Sequence, residues 1–128
     1  MSLWSYDLTI EDGKYSVTAH VVRCGNDICL CIGGGVQPHI GAAALGIARP
    51  SLKKPDAVSS SSSVICVTGH KEDDFAKMAS GRLAAKFGCV VNVCVGVHID
   101  GGEPEEIARL SNNMNRLLDL VENRLSYG

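Results

Sequence analysis

The chain has 128 residues, of which 45% are hydrophobic, and its formal net charge at pH 7 is −2. A chain of this length and composition can bury a core as one domain, residues 1–128, without disulfides or a structural metal. Its 12 basic and 14 acidic residues form no dense basic stripe, which argues against nucleic acid as the main partner. The sequence has neither an apolar stretch of about 20 residues nor a signal peptide, so we expect a cytoplasmic protein without membrane association.

The first half of the chain predicts β-strands joined by tight turns. Asp12-Gly13 and Gly25-Asn26-Asp27 accept positive φ and favour hairpins, so the chain should start as an antiparallel meander. Polar and apolar residues alternate in the second run, which places His20 on the wetter face with solvent or a cross-strand partner. The third run is apolar throughout and predicts a central strand. The runs are residues 4–10, 15–24, 28–32 and 42–48.

Residues 50–63 predict a flexible surface loop. This stretch contains two prolines and a run of five serines, so it offers little apolar surface for burial. A regulated segment is the alternative for the serine run.

Six cysteines lie mostly inside apolar, strand-like runs. They lack the paired two-residue spacing of zinc knuckles, which argues against a zinc site. We therefore interpret Cys29, Cys31 and Cys66 as small buried hydrophobic residues. The six are Cys24, Cys29, Cys31, Cys66, Cys89 and Cys94.

The second half predicts two strands that alternate with two helices. A strand at 64–68 leads into a helix that ends at Gly88, and a strand at 89–99 leads into a long amphipathic helix from Pro104 to Leu125. The apolar stripe of that last helix is either core or a dimer seam. The whole order predicts an α+β fold: a mostly antiparallel sheet with two helices, the second a long C-terminal amphipathic helix.

Three histidines lie where apolar β-forming runs give way to polar or glycine-rich corners: His39, His70 and His98. Imidazole titrates near neutral pH and is the commonest metal ligand, so three on comparable corners indicate one converging pocket. The alternative is that each histidine caps a strand or is half-buried there. His98 also has a carboxylate, Asp100, two residues away. We expect a functional site if all three meet in space.

The corner around His39 is the strongest local motif. Pro38 fixes φ just before His39, while Gly35 and Gly41 leave open space around the ring. This arrangement presents an imidazole towards a ligand, and a structural turn with an incidental histidine is the alternative. The spacing matches neither a Walker loop nor the dinucleotide-binding fingerprint.

His70 and Lys71 precede the acidic start of the first predicted helix. Free backbone N–H groups at a helix N-terminus attract anions, and Lys71 adds a positive charge, so this segment can receive a phosphate. Two alternatives stay open here. Glu72, Asp73 and Asp74 can cap the helix, or their carboxylates can help to hold a cation beside His70.

Three motifs, in this order along the chain, resemble those of the LpdD-like family of prenylated flavin chaperones, small proteins associated with UbiD-type decarboxylases. The resemblance implies a homodimer with a fold similar to that of proteasome assembly chaperones. It also implies an accessory protein that binds prenylated flavin mononucleotide and assists its maturation or its delivery to a decarboxylase. The motifs are Gly34-Gly35-Val36-Gln37-Pro38-His39-Ile40-Gly41, His70-Lys71-Glu72-Asp73-Asp74 and Gly96-Val97-His98-Ile99.

The resemblance also implies a set of site residues. A divalent metal such as Fe or Zn would be held by His39, His70 and His98. Two other classes of function stay open: a small metal-dependent enzyme with a three-histidine site, and a pure assembly chaperone that uses the long helix and a sheet edge. The cofactor-binding residues are expected to be Gly35, Pro38, His39, Gly41, His70, Lys71 and His98.

Overall fold

The structure is a computed structural model that describes residues 3–67 and 72–127. A short 3-10 turn at Gly13–Tyr15 follows the first strand. The elements in chain order are β1 Leu3–Ile10, β2 Val17–Cys24, β3 Asp27–Gly35, β4 Ala42–Pro50, β5 Val58–Cys66, α1 Asp73–Phe87, β6 Val90–His98 and α2 Pro104–Tyr127.

The six strands form one sheet in the order β1-β2-β3-β6-β4-β5. Only β3 and β6 are parallel neighbours, and the other four strand pairs are antiparallel. The predicted α+β class is therefore confirmed, as are the two helices and the long C-terminal one. The sheet places β6 between β3 and β4, so the chain between β3 and β4 must cross the end of β6. The crossing segment, residues 36–41, contains His39 and is called the histidine corner below.

Both helices cover the same face of the sheet. Helix α1 packs on β4, β5 and β6, while α2 packs on β1 and β2. The covered face carries the core, and alternate residues along most of β2, β3 and β6 are buried there. None of the described elements covers the opposite face. The core residues of the three strands are Val17, Ala19, Val21, Ile28, Leu30, Ile32, Val91, Val93 and Val95.

The apolar stripe of α2 belongs to this core. Leu117, Leu118 and Val121 are fully buried in the monomer, and Leu110, Met114 and Leu125 are nearly so. The stripe is therefore not available as a dimer seam, because the sheet already covers it. Neither α2 nor any other helix in the described parts of the chain is both long and apolar enough to cross a membrane.

The prediction of a flexible loop at residues 50–63 is wrong for half of these residues. Pro50 ends β4, and Val58–Cys66 is the edge strand β5, which pairs with β4 along its whole length. The loop is confined to residues 51–57. Serine is small enough to let α1 approach the strand closely, and the Ser62 hydroxyl lies 3.1 Å from that of Ser80 on α1. The amino-acid composition did not predict this strand, because the strand is stabilised by partners that are distant in the sequence.

The interpretation of the cysteines as buried is also wrong for Cys31 and Cys66, which are exposed. Cys31 is on the sheet face that the helices leave open, and Cys66 is on the edge strand. Cys29 is half-buried on the same open face, and only Cys89 is buried. His20 lies 2.7 Å from Asp7 across the β1–β2 pair, which confirms the expected cross-strand partner.

Candidate functional site

The site is built where β3 and β6 end side by side. Parallel strands finish at the same edge of a sheet, and Gly35, the last residue of β3, is paired with His98, the last residue of β6. Gly35 has φ of +73°, and a Cβ on it would lie 2.1 Å from the His98 carbonyl oxygen. The Val36 N–H donates to that same oxygen at 2.7 Å. Glycine is therefore required at position 35 to start the crossing.

The crossing then packs His39 directly against β6. A Cβ on Gly96 would lie 1.8 Å from the His39 carbonyl oxygen, so only glycine admits the corner this closely. The Gly41 N–H donates to the Val95 carbonyl at 2.9 Å, which holds the far side of the corner. As a result, the rings of His39 and His98 meet edge to face, with their centroids 6.5 Å apart.

Glu72 completes the corner from the start of α1. Its Oε1 atom lies 3.2 Å from His39 Nε2, and the two side chains are 11% and 21% exposed. A Cβ on Gly41 would lie 2.4 Å from the Glu72 carboxylate, so this glycine makes room for it. Glu72 precedes α1 at the N-cap position, yet its side chain makes no capping hydrogen bond.

The contacts of His39 fix the orientation of its ring. Its Nδ1 lies 3.1 Å from the Gln37 carbonyl oxygen, which can only accept, so Nδ1 donates. Its Nε2 faces the Glu72 carboxylate on the other side. The imidazole and the carboxylate are therefore held together at a defined and mostly buried position.

His98 is the more exposed of the two histidines at this corner. Its Nε2 lies 3.0 Å from Asp100 Oδ1, and both side chains face solvent on their outer sides. An exposed pair of this kind adds little to stability. The contact orients the imidazole at the strand exit, and His98 is one of the residues that line the neighbouring cleft.

A cleft of about 540 Å³ opens beside this corner, between α1 and α2. Its walls are mostly apolar, and Glu72 and His98 are among its polar lining residues. Neither lysine nor arginine is among its described lining residues. The lining consists of Glu72, Asp74, Phe75, Met78, Val97, His98, Ile99, Ile107, Leu110, Ser111, Met114 and Asn115.

The structure brings several of the predicted site residues to one place. Gly35, Gly41, His39 and His98 surround the corner, and the Pro38 ring packs beside β3, where a Cβ on Gly33 would lie 3.1 Å from it. The other two predicted residues, His70 and Lys71, lie outside the described residues.

No metal-binding group is found within residues 3–67 and 72–127: three or more His, Cys, Asp or Glu side chains nowhere converge there in a way that could hold an ion. The nitrogens of His39 and His98 face carboxylates instead of one another. The described residues therefore do not fit the expected Fe or Zn, and the third expected ligand, His70, lies outside them.

Sequence reasoning missed the role of Glu72 and the cleft. Glu72 was expected to cap α1 or to hold a cation near His70, because a carboxylate before a helix usually acts locally. The cleft left no signal that sequence reasoning could use: Ile107 belongs to the apolar pattern of α2, and only the structure shows that it is 55% exposed. An apolar residue of the stripe that reaches no core partner indicates an open groove.

Comparisons with known proteins agree with these motifs. The model of a family described as "Prenylated flavin chaperone LpdD-like domain" matches residues 11–126. A search among curated proteins finds no match. Among solved structures, a chain of "Crystal Structure of a Novel Chaperone Complex for Yeast 20S Proteasome Assembly" is similar, with a TM-score of 0.63 and 16% identity over 98% of this chain and 99% of that chain. At this identity, the likeness shows the fold alone.

Proposed function

The chain belongs to the prenylated flavin chaperone LpdD-like family, and from this premise we propose that it binds prenylated flavin mononucleotide and assists its maturation or its delivery to a UbiD-type decarboxylase. The observation that carries the proposal is the apolar cleft, which opens directly beside the motif residues His39 and His98. The protein would work in the cytoplasm with the decarboxylase as its partner.

The cleft fits the ring system of an organic cofactor in size and apolar character. Its volume of about 540 Å³ lies in the range of small-molecule sites, which are mostly apolar with a few placed polar groups. The apolar walls exclude water from a bound ring. When bound, the cofactor supplies the flavin chemistry that the decarboxylase needs. The chain's own polar groups would orient it: the Glu72 carboxylate, which pairs with His39, and the His98 imidazole are both among the lining residues.

The phosphate of the cofactor requires positive charge, which the described lining lacks. His70 and Lys71 immediately precede Glu72 in the chain, so we assign the phosphate to them. Asp73 and Asp74 already occupy the first turn of α1, which makes the helix N-terminus a weak anion site on its own. Gly35, Pro38 and Gly41 contribute through the backbone, because they keep the corner close to β6.

We also propose a homodimer, formed through the sheet face that the helices leave open. That face exposes apolar side chains on β4 and on the edge strand β5, namely Leu45, Ile47 and Ile65. The described face also carries the uncharged residues Cys31 and Cys94, which are paired in register. The apolar part of such a face can pack against a second copy of itself.

The histidines provide the test of the proposed function. We expect the variant H39A/H70A/H98A to bind reduced prenylated flavin mononucleotide more weakly than the parent under anaerobic conditions, and to support less activation of the partner decarboxylase. The matched control is His20→Ala, because His20 is an exposed histidine on β2 that pairs with Asp7 away from the site. Titration followed by flavin absorbance and a decarboxylase activation assay measure the two effects.

Two outcomes would count against the proposal. Absence of flavin binding by the parent protein would overturn it. Decarboxylase activation that survives in the triple variant, without flavin binding, would favour a pure assembly chaperone instead.

A further inference from the structure

We propose that Cys31 and Cys94 form a reversible disulfide when the protein meets a small-molecule disulfide such as oxidised glutathione, so that the open sheet face carries a redox-sensitive modification site. The two residues are partners in register on β3 and β6, the third and fourth strands of the six-stranded sheet. Both are free thiols in the structure. The proposal goes beyond the proposed function and does not depend on flavin binding.

The register brings the two thiols within reach of each other. Cys31 alternates with the buried Leu30 and Ile32, and Cys94 alternates with the buried Val93 and Val95, so both thiols lie on the face that the helices leave open. Neighbouring strands are roughly 4.8 Å apart. A disulfide joins Cα atoms that are about 4.4–6.8 Å apart, so a bond between these two residues requires little movement of the backbone.

The acidity of Cys31 agrees with this proximity. Burial raises the pKa of the Cys31 thiol, and the neighbouring thiols of Cys94 and Cys29 raise it further, because two thiolates side by side repel each other. Cys31 is therefore mostly protonated at neutral pH, and its exchange with a disulfide is slow there.

Cys29 is the third thiol of this cluster, but its position is less suitable for a bond. Its partner in register on β6 is Asn92, whose Nδ2 donates to Cys29 Sγ at 3.4 Å. The diagonal from Cys29 to Cys94 spans about 8 Å, which exceeds the roughly 7 Å that a disulfide can bridge. Cys29 and Cys31 are roughly 6.6 Å apart along one strand, near that limit. Cys31 and Cys94 are therefore the favoured pair.

The exchange proceeds in two balanced steps. Cys31 is exposed and Cys94 is half-buried, so Cys31 reacts first. The Cys31 thiolate attacks one sulfur of oxidised glutathione, the S–S bond breaks, and the departing glutathione takes up the proton that Cys31 released. Cys94 then loses its proton and attacks Cys31 Sγ, which releases the second glutathione with that proton. Two protein thiols are oxidised and one oxidised glutathione is reduced to two glutathiones.

The same face is the one through which we propose that the chain dimerises. A second copy packed on it would shield the thiols from glutathione, whereas Cys31 is exposed in the single chain. The dissociated protein should therefore react faster than the dimer. Excess glutathione reverses both steps, so the modification is transient in a reducing compartment.

The test measures the intact mass of the reduced protein after incubation with oxidised glutathione and acid quenching. Cys24 and Cys66 are exposed as well, so the variant C24S/C66S serves as background and avoids unrelated mixed disulfides. We expect this background to lose two hydrogens and to retain no glutathione, and to recover its mass with dithiothreitol.

Three single changes in this background identify the pair. Cys94→Ser should accumulate one glutathione, as a mixed disulfide at Cys31, and Cys31→Ser should not lose two hydrogens. Cys29→Ser is the matched control, because it removes a thiol from the same strand and the same face, and it should react as the background does. Circular dichroism verifies that each variant is folded, and Cys94→Ala replaces Cys94→Ser if the serine variant does not fold.

The reaction is repeated with Leu45→Asp added to the background, since a charge on the open face should dissociate the dimer. Formation of the disulfide only in this monomeric form supports the site and shows that the second copy shields it. Absence of the disulfide in both forms, or its loss in Cys29→Ser with retention in Cys94→Ser, would overturn the proposal. None of these results bears on flavin binding, so the two proposals fail separately.

Discussion

Three glycines shape the site because they have no side chain. A side chain on Gly35, Gly41 or Gly96 would collide with His98, Glu72 or His39 respectively. The sequence showed that glycines flank His39 and permit close approach. It could not show what approaches, because the contacts join residues far apart in the chain. Glu72 illustrates this limit: its local role as a helix cap was predictable, but its pairing with His39 depends on where β6 is inserted.

The closest of these contacts supports a prediction about stability. We expect Gly96→Ala to destabilise the fold by roughly 1–3 kcal/mol, because the new Cβ would lie 1.8 Å from the His39 carbonyl oxygen and the backbone would have to move. Gly102→Ala is the matched control, since its Cβ would meet only isoleucine side-chain carbons at 3.1 Å. Denaturant unfolding of both variants measures the difference. Equal unfolding free energies would show that the corner is not packed as described.

At the scale of elements, strands with clear alternation were predictable and the edge strand was not. Val17–Cys24 buries every second residue at its start, which is the pattern that local sequence encodes. In Val58–Cys66 five serines replace that pattern, and the strand is held by backbone pairing with β4 and by close contact with α1. Such a strand forms because of its contacts with β4 and α1 and not because of its own residue pattern. Helix α2 is an intermediate case. Its apolar stripe is evident in the sequence, but the surface on which that stripe packs could be assigned only from the structure.

The start of α2 is anchored by an ion pair that predicts acid sensitivity. Glu106 lies 2.8 Å from Lys14 and accepts a hydrogen bond from the Tyr15 hydroxyl at 2.7 Å. These hydrogen bonds, that from Lys14 first, lower the pKa of Glu106 from 4.5 to about 2. Because the folded pKa is below the unfolded one, the stabilisation is complete above about pH 4.5 and is lost as the pH falls towards 2.

We therefore expect Glu106→Gln to lose stability relative to the parent at neutral pH and to converge with it near pH 2. Chemical denaturation at a series of pH values measures this. Glu105→Gln is the control, because Glu105 is an exposed carboxylate in the same helical turn. If the two variants keep the same difference from the parent at every pH, the ion pair does not contribute to folding.

At the scale of the whole molecule, one topological choice links the fold to the site. A simple meander would place β4 next to β3, and the histidine corner would then be a hairpin loop at the sheet edge. Insertion of β6 between them makes the corner cross the end of β6, which brings His39 to His98 and to the cleft. The class of the fold followed from the order of elements, whereas this insertion did not, because strand order depends on long-range pairing.

The same topology leaves one sheet face open, and this supports the last prediction. Both helices lie on one side, so Leu45 and its neighbours on the other side have no described partner element. We expect the protein to sediment and scatter light as a dimer of twice 13.5 kDa at micromolar concentration. Leu45→Asp should make it monomeric without changing its circular dichroism, because a buried, unpaired charge in the middle of an apolar interface is strongly unfavourable.

The control for this experiment is Leu52→Asp. Leu52 is 90% exposed in the 51–57 loop, whereas Leu45 is 43% exposed in the middle of β4, so the two variants add the same charge to different surfaces. We expect Leu52→Asp to remain dimeric. A parent protein that is monomeric at micromolar concentration would contradict the dimer, and equal dissociation of both variants would place the interface elsewhere than on the open face of the sheet.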